Sequence, residues 1–358
     1  MVTSSAFGKA RKKYSETAFI ELLQGVTKQF YHDNNLKKWS GLRVLAVDGS
    51  KYLLPNTKQL YNTFGGMTNQ FEKCIPMALG SALYDVFQGL ILDAQLVPYA
   101  SSERDLALRH LEHSETTDLT LYDRGYPAFW MFSAHRDKGS YFCMRVRNNF
   151  SKETRDFVQS GDKERVVTLK ANKRMTKDCD DKKVSSEDIS VRFLRVKTTK
   201  GEYILVTNLI EKRQYPRASF KALYHLRWQV EEGYKKQKNW LEIENFSGES
   251  ELAIRQDFHA KVLSQTLTAM MIHSAQKLIK SRISNRALSY KINFTQALSA
   301  MKNTLIHLLY DTLSELELMR WLILISRQLS AIRLGRSFTR KKKVTDRHNY
   351  HRSYKRAL

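Results

Sequence analysis

Along the 358-residue chain the spacing of apolar positions changes several times, and each change marks a different kind of element. Between Phe7 and Asn34, the apolar residues Phe19, Ile20, Leu22, Leu23, Val26 and Phe30 recur at helical spacing and predict one or two helices. Lys9, Arg11, Lys12 and Lys13 make the start of this region strongly basic. Arg43–Val47 (RVLAV) then reads as a strand leading into Asp48-Gly49-Ser50, with a second apolar piece at Lys51–Leu54. Two further strand-like runs, Ile75–Tyr84 and Leu90–Tyr99, follow after short connections and suggest an antiparallel meander. A helix capped by Ser101 or Ser102 comes next, then a short strand, Leu119–Tyr122, that ends on Asp123-Arg124-Gly125-Tyr126. Phe129–His135 reads as a short helix and Tyr141–Val146 as a strand. This order predicts a mixed α/β sheet flanked by helices, with a crossover to a parallel strand at Asp123. In such sheets ligands gather outside the strand ends where strand order switches.

From Asn148 to about Gln214 the pattern is different. Residues 151–188 are charged and loop-like, and β-type pieces lie at Val166–Leu169, Val191–Val196 and Tyr203–Thr207, which predicts a β-rich insertion. Pro216–Trp240 reads as one amphipathic helix with two stripes. Leu223, Leu226, Val230 and Tyr234 form the apolar one; Tyr224, Arg227, Glu231 and Lys238 form a polar, chemically mixed one. Taken alone, the polar stripe reads more readily as a solvated face with a Glu–Lys pair than as a site. Helical patterns at 250–281, 294–310 and 314–329 follow. The predicted organisation is a short basic helical region (1–40), a first core segment (41–147), the insertion (148–214), a second core segment with C-terminal helices (215–330) and a basic tail (331–358).

Charge narrows the choice of partner. Sixty Lys and Arg stand against 36 Asp and Glu, a formal net charge of +24, which favours a polyanion: nucleic acid first, an anionic membrane surface second. Residues 333–358 hold ten Lys or Arg against Asp346 alone, a tail suited to phosphate contacts or to solubility. No stretch is long and apolar enough to span a bilayer, and nothing at the N-terminus reads as a secretory signal. Cys74, Cys143 and Cys179 are unclustered, which suggests a reducing cytoplasm and neither a disulfide framework nor a zinc site.

Three acids stand where secondary structure can aim them: Asp48 after one strand, Asp123 at the end of another, and Glu231 on the two-striped helix. Carboxylates so placed suit a divalent-metal site for phosphoryl transfer, because hard cations take oxygen ligands. Strand-end Asp residues also serve turns, and Asp48-Gly49 is equally a hairpin signal.

Tyr224-x2-Arg227-x3-Glu231-x6-Lys238 resembles the Tyr-Arg-Glu-Lys signature of DDE transposases of the insertion-sequence four (IS-four) family, in all four residues and all three spacings. Asp48 in VLAVDGS and Asp123 in LYDRGY are similar to that family's first and second catalytic acids, and Glu231 to its third. The resemblance implies a ribonuclease H-like core with a β-rich insertion before the helix carrying the third acid. It also implies Mg²⁺, or Mn²⁺ in its place, held by Asp48, Asp123 and Glu231. The implied activity is cut-and-paste transposition of an insertion sequence by end nicking, hairpin formation and resolution, and strand transfer. Tyr224, Arg227 and Lys238 are then expected to grip DNA phosphates; Arg124 is a further candidate, with a structural salt bridge as its alternative. Trp228 and Trp240 are expected in the core. The implied partners are double-stranded DNA, at transposon ends and target, and a second copy of the chain, in a bacterial cytoplasm at the nucleoid. About 47 residues precede Asp48, fewer than family members usually have, so the expected end-recognition region is short or lost. Two other readings stay open: a metal-dependent nuclease without strand transfer, and a DNA-binding transposase remnant that does not cleave.

Overall fold

The computed structural model describes residues 3–68, 74–199, 201–283, 288–310 and 314–332. The tail expected at 331–358 therefore lies, but for its first two residues, outside the described residues. Helices α1 (Ser4–Arg11) and α2 (Thr17–Asp33) lead into strand β1 (Arg43–Leu53). Then come α3 (Lys58–Phe64), β2 (Gly66–Thr68), β3 (Cys74–Asp85) and β4 (Ile91–Pro98). Helix α4 (Glu103–His110), β5 (Asp118–Tyr122), α5 (Phe129–Lys138) and β6 (Tyr141–Val146) complete the first core segment.

β1 is continuous. Asp48-Gly49 does not turn the chain; it sits inside a ladder that pairs Leu45 with Asp85 and runs through to Leu53 with Met77. Two neighbours explain why a strand wins over the turn. β3 pairs with it antiparallel from Leu45 to Leu53, and β5 pairs with its first residues in parallel, Arg43↔Asp118 through Ala46↔Leu121. Val44, Leu45, Ala46 and Val47 are all fully buried, as expected of a central strand covered on both faces. The antiparallel β4–β3–β1 meander, with β5 and β6 running parallel to β1, is the ribonuclease H-like arrangement.

The stretch 148–214 contains α6 (Lys152–Ser160), β7 (Glu164–Leu169), α7 (Lys173–Lys182), β8 (Ile189–Thr198) and β9 (Gly201–Thr207). The part expected as a charged loop thus holds two helices. Each is anchored by few apolar side chains, Phe157 from α6, Met175 and Cys179 from α7, and each is fixed at its start by a capping side chain, Ser151 and Asn172. The three strands form no sheet of their own. β9 pairs antiparallel with β6, and the full order is β2-β3-β1-β5-β6-β9-β8-β7 with β4 on β3.

The two-striped helix is broken. After a short 3₁₀ turn at Arg217–Ser219 the chain forms α8 (Phe220–His225), then tightens through Leu226 and Arg227 into α9 (Trp228–Asn239). The N–H groups of Leu226, Arg227, Gln229 and Val230 donate to carbonyls three residues back, the mark of a 3₁₀ passage. α10 (Glu251–Ile283) follows, then β10 (Ser289–Ile292), α11 (Phe294–Leu309), α12 (Glu315–Ser326) and β11 (Leu329–Ile332), which pairs with β10.

The core divides on the two faces of the sheet. Val44 and Ala46 of β1 pack with Val230 and Tyr234 of α9 and Phe258 of α10. Leu45 and Val47 point the other way, to α4, α5 and the anchors of α6 and α7. α5 is buried over seven consecutive residues, Phe129–His135, because the sheet lies on one side and α7 on another.

Candidate active site

Strand periodicity and register decide where the acids point. In β1 the even positions Val44 and Ala46 face α9, so Asp48, two residues on, belongs to the same face. In β5 Leu119 and Leu121 face that way too, and Asp123 continues the series. Continuing the parallel register from Arg43↔Asp118, Asp48 and Asp123 come at the same level, at adjacent strand ends. α9 lies across this face, and Glu231 is in its first turn.

Arg227 stands between the acids. Its Nη2 lies 2.9 Å from Glu231 Oε1, and its Nη1 3.6 Å from Asp48 Oδ2. Only about a tenth of its side chain is exposed. The Asp48 carboxyl is pushed up to about 6, first by burial and further by the charges of Asp123 and Glu231; the Gly49 N–H and Arg227 pull the other way. A group of like charges, partly desolvated, with one internal cation, is thus the character of the site.

The backbone around the acids is held by tyrosines and one serine. Tyr234 O–H donates to the Asp48 carbonyl at 2.6 Å, and Tyr224 O–H to the Tyr122 carbonyl at 3.1 Å, one residue before Asp123. Ser81 O–H reaches the Asp48 carbonyl at 3.3 Å and His110 Nε2 at 2.9 Å, and His110 Nδ1 lies 2.6 Å from Asp93. The Asp123 carboxylate accepts the Gly125 N–H at 2.6 Å.

The structure therefore brings Asp48, Asp123, Glu231, Arg227 and Tyr224 together. Lys238 is two turns further along α9, where its Nζ donates to the Lys51 carbonyl at 2.6 Å. Arg124 is exposed and forms no salt bridge among the described residues, so the structural-pair alternative fails. Trp228 and Trp240 are 46% and 45% exposed, against the expectation of core positions; Trp240 follows the last residue of α9 and stacks on Phe294 of α11. Tyr234 was legible only as apolar; its buried hydroxyl is what positions Asp48, and a tyrosine on a core stripe is the signal for such a bond.

The donor set fits a hard divalent cation in kind, since it is made of carboxylates whose mutual repulsion a cation relieves. Among the described residues no group of three or more Asp, Glu, His or Cys side chains is placed to hold a metal ion by itself. An ion such as Mg²⁺ takes few protein ligands and completes its shell with waters and substrate phosphate oxygens.

The family model described as "Transposase DDE domain" matches residues 39–267, a stretch that contains all three acids. The chain belongs to this family. Among its relatives, it is 23% identical over 243 residues to the transposase InsG for insertion sequence element IS4 of Escherichia coli K12, covering 67% of this chain and 54% of that protein. It is 28% identical over 151 residues to the putative transposase y4zB of Sinorhizobium fredii, covering 41% and 40% of the two chains. The chain thus spans about half the length, or less, of these relatives. A solved piggyBac transposase synaptic complex with hairpin DNA shows a slight likeness, with a TM-score of 0.43 at 8% identity over 80% of this chain and 57% of that one. It is too slight to bear on function. DDE transposases generally use divalent metal ions. No described helix is long and apolar enough to cross a membrane.

Proposed function

We propose that this DDE-domain chain is a metal-dependent DNA transposase that cuts out and inserts an insertion sequence, with Asp48, Asp123 and Glu231 as its catalytic acids. The reading is supported by family membership together with the Arg227 cation between Asp48 and Glu231, with Asp123 at the adjacent strand end. The cofactor is Mg²⁺, or Mn²⁺ in its place, and Asp48, Asp123 and Glu231 would hold it. Bound there, it would polarise phosphate oxygens and favour attack by water or a 3′-hydroxyl.

The chain's own groups set the stage for that chemistry. Arg227 keeps the acids compensated and offers donors to a phosphate. Tyr224, whose single O–H donates to the Tyr122 carbonyl, would serve DNA binding by aiming the strand end that carries Asp123. Lys238 would grip a phosphate as a compact point charge. Arg124 would meet the backbone beside Asp123. The polyanion that balances a net charge of +24 is double-stranded DNA, at transposon ends and target, engaged by a homodimer in the bacterial cytoplasm at the nucleoid.

Asp48→Ala, Asp123→Ala and Glu231→Ala should each abolish cleavage and joining of DNA bearing the element's ends while DNA binding persists. Full activity in any one of them would sink the assignment of the acids. Cleavage without joined products identifies a nuclease, and binding without cleavage by the intact chain identifies a remnant.

A further inference from the structure

A cleft of about 580 Å³ opens on the sheet face opposite α9, between the first turn of α5 and helix α7. Four arginines line it, Arg104, Arg124, Arg147 and Arg174, against the single carboxylate of Asp178. Arg104 donates to the Gly125 carbonyl at 2.6 Å. Arg124, Arg147 and Arg174 are exposed and make no side-chain ion pair or hydrogen bond among the described residues. The contrast with nearby arginines is sharp. Arg136, Arg165, Arg192 and Arg195, in the same half of the sheet, are paired with Asp137, Asp162, Glu164 and Glu202.

Three unpaired guanidiniums facing one cleft repel each other weakly through solvent, and an anion between them turns that repulsion into attraction. The floor includes Trp130, 8% exposed, an apolar base that strengthens charge interactions above it. Ala128, at the start of α5, has no side-chain cap, so the positive end of that helix adds to the same field. The array is elongated by sequence as well. It begins at the residue after Asp123 and ends on α7, 50 residues later, beyond two strands of the sheet.

We propose that this cleft seats the phosphodiester backbone of a DNA strand that leaves the acids around the end of β5. Arg124 is its first contact, Arg147 and Arg174 the next, and α7 is the outer jaw. This rests on the reading of the acids as a DNA-processing site, and it gives the 148–214 segment a direct part in holding DNA.

The test is equilibrium binding of the full-length chain to a short fluorescent DNA duplex across a range of NaCl concentrations, with cleavage followed in parallel. Removing one arginine–phosphate pairing lowers the log–log salt slope by about 0.9. Arg147→Ala and Arg174→Ala should each lower it by about that much and the double variant by about twice as much, with Arg174→Lys restoring most of the slope. Arg165→Ala removes the same charge outside the cleft and should leave the slope nearly unchanged. Equal reductions from Arg165→Ala and Arg174→Ala overturn the proposal, because net charge alone then explains binding. Unchanged slopes in cleft variants that still cleave overturn the cleft and spare the catalytic reading. Lowered slopes in a chain that never cleaves uphold the cleft and sink that reading.

Discussion

Gly233 sets the distance between α9 and the sheet, and replacing it with alanine tests how tightly that distance governs the site. A Cβ at this position would lie 3.0 Å from Tyr84 Cε2, with two more ring atoms within 3.5 Å. In an open helix the change from glycine would stabilise by about 1 kcal/mol. Here the ring cannot swing aside. Tyr84 is 3% exposed, part of the same core as Val230 and Tyr234, and its hydroxyl end approaches Gly89. Overpacking at such a position costs about 1–3 kcal/mol, so the net expectation is destabilisation of roughly 0–2 kcal/mol. The helix can relieve the clash only by moving outward, which takes Glu231, two residues away, off Asp48. A displacement of a few tenths of an ångström at a reacting centre should cost about tenfold in cleavage rate, given that about 1 Å can cost a hundredfold. Urea unfolding followed by circular dichroism, with single-turnover DNA cleavage, measures both. In a Tyr84→Leu background the same change should become stabilising, since the ring that opposes it is gone. A Gly233→Ala chain more stable by about 1 kcal/mol with unchanged cleavage would refute the reasoning.

The raised Asp48 carboxyl makes a signed prediction. Because it binds its proton up to about pH 6 when folded but only to about pH 4 when unfolded, this group removes stability as pH rises through that window, by about 2–3 kcal/mol in all. His135 and His259, pushed down to about 3 and 4 by burial, act in the opposite sense below pH 6.5, so the measurement is the difference between the wild type and Asp48→Asn. That difference should grow from pH 4 to pH 6 in urea titrations without divalent ions; a pH-independent difference would show that Asp48 is not the group responsible. With Mg²⁺ added at neutral pH, the melting temperature of the wild type should rise and that of Asp48→Asn should rise less. At the opposite end of the same strands, Arg43 makes a bidentate pair with the fully buried Asp118 at 2.7 and 2.6 Å. Asp118→Asn should cost about 3 kcal/mol in thermal unfolding, because Arg43 is left without a full partner. A cost under 1 kcal/mol would mean that Glu115, 3.9 Å from Arg43, takes over.

Much of the site was legible because its positions obey two simple periods. The strand runs before Asp48 and Asp123, and the 3.6-residue spacing around Glu231, are local properties of the chain. What the spacing cannot show is the break at Leu226–Arg227, since both residues are good helix formers and the tightened turn is imposed by packing on the sheet. Asp48-Gly49 carries a turn signal that two pairing strands override. α6 and α7 were hidden by their charge, although Ser151 and Asn172 at their starts and Gly161 after α6, in the left-handed region at φ 74°, mark their ends. The cleft arginines have no periodic relation at all. Only the sheet order, which places β9, β8 and β7 beyond β6, brings α7 opposite α5.

The hydrogen bond from Tyr234 to the Asp48 carbonyl joins residues 186 positions apart in the chain. A ribosome adding about 5–20 residues per second needs roughly 10–40 s to travel that distance. Throughout that interval β1 has been made but the helix that completes its acidic end has not. A nascent chain then carries Asp48 with neither Glu231 nor Arg227 beside it. The acidic cluster is completed late and all at once, when α9 docks.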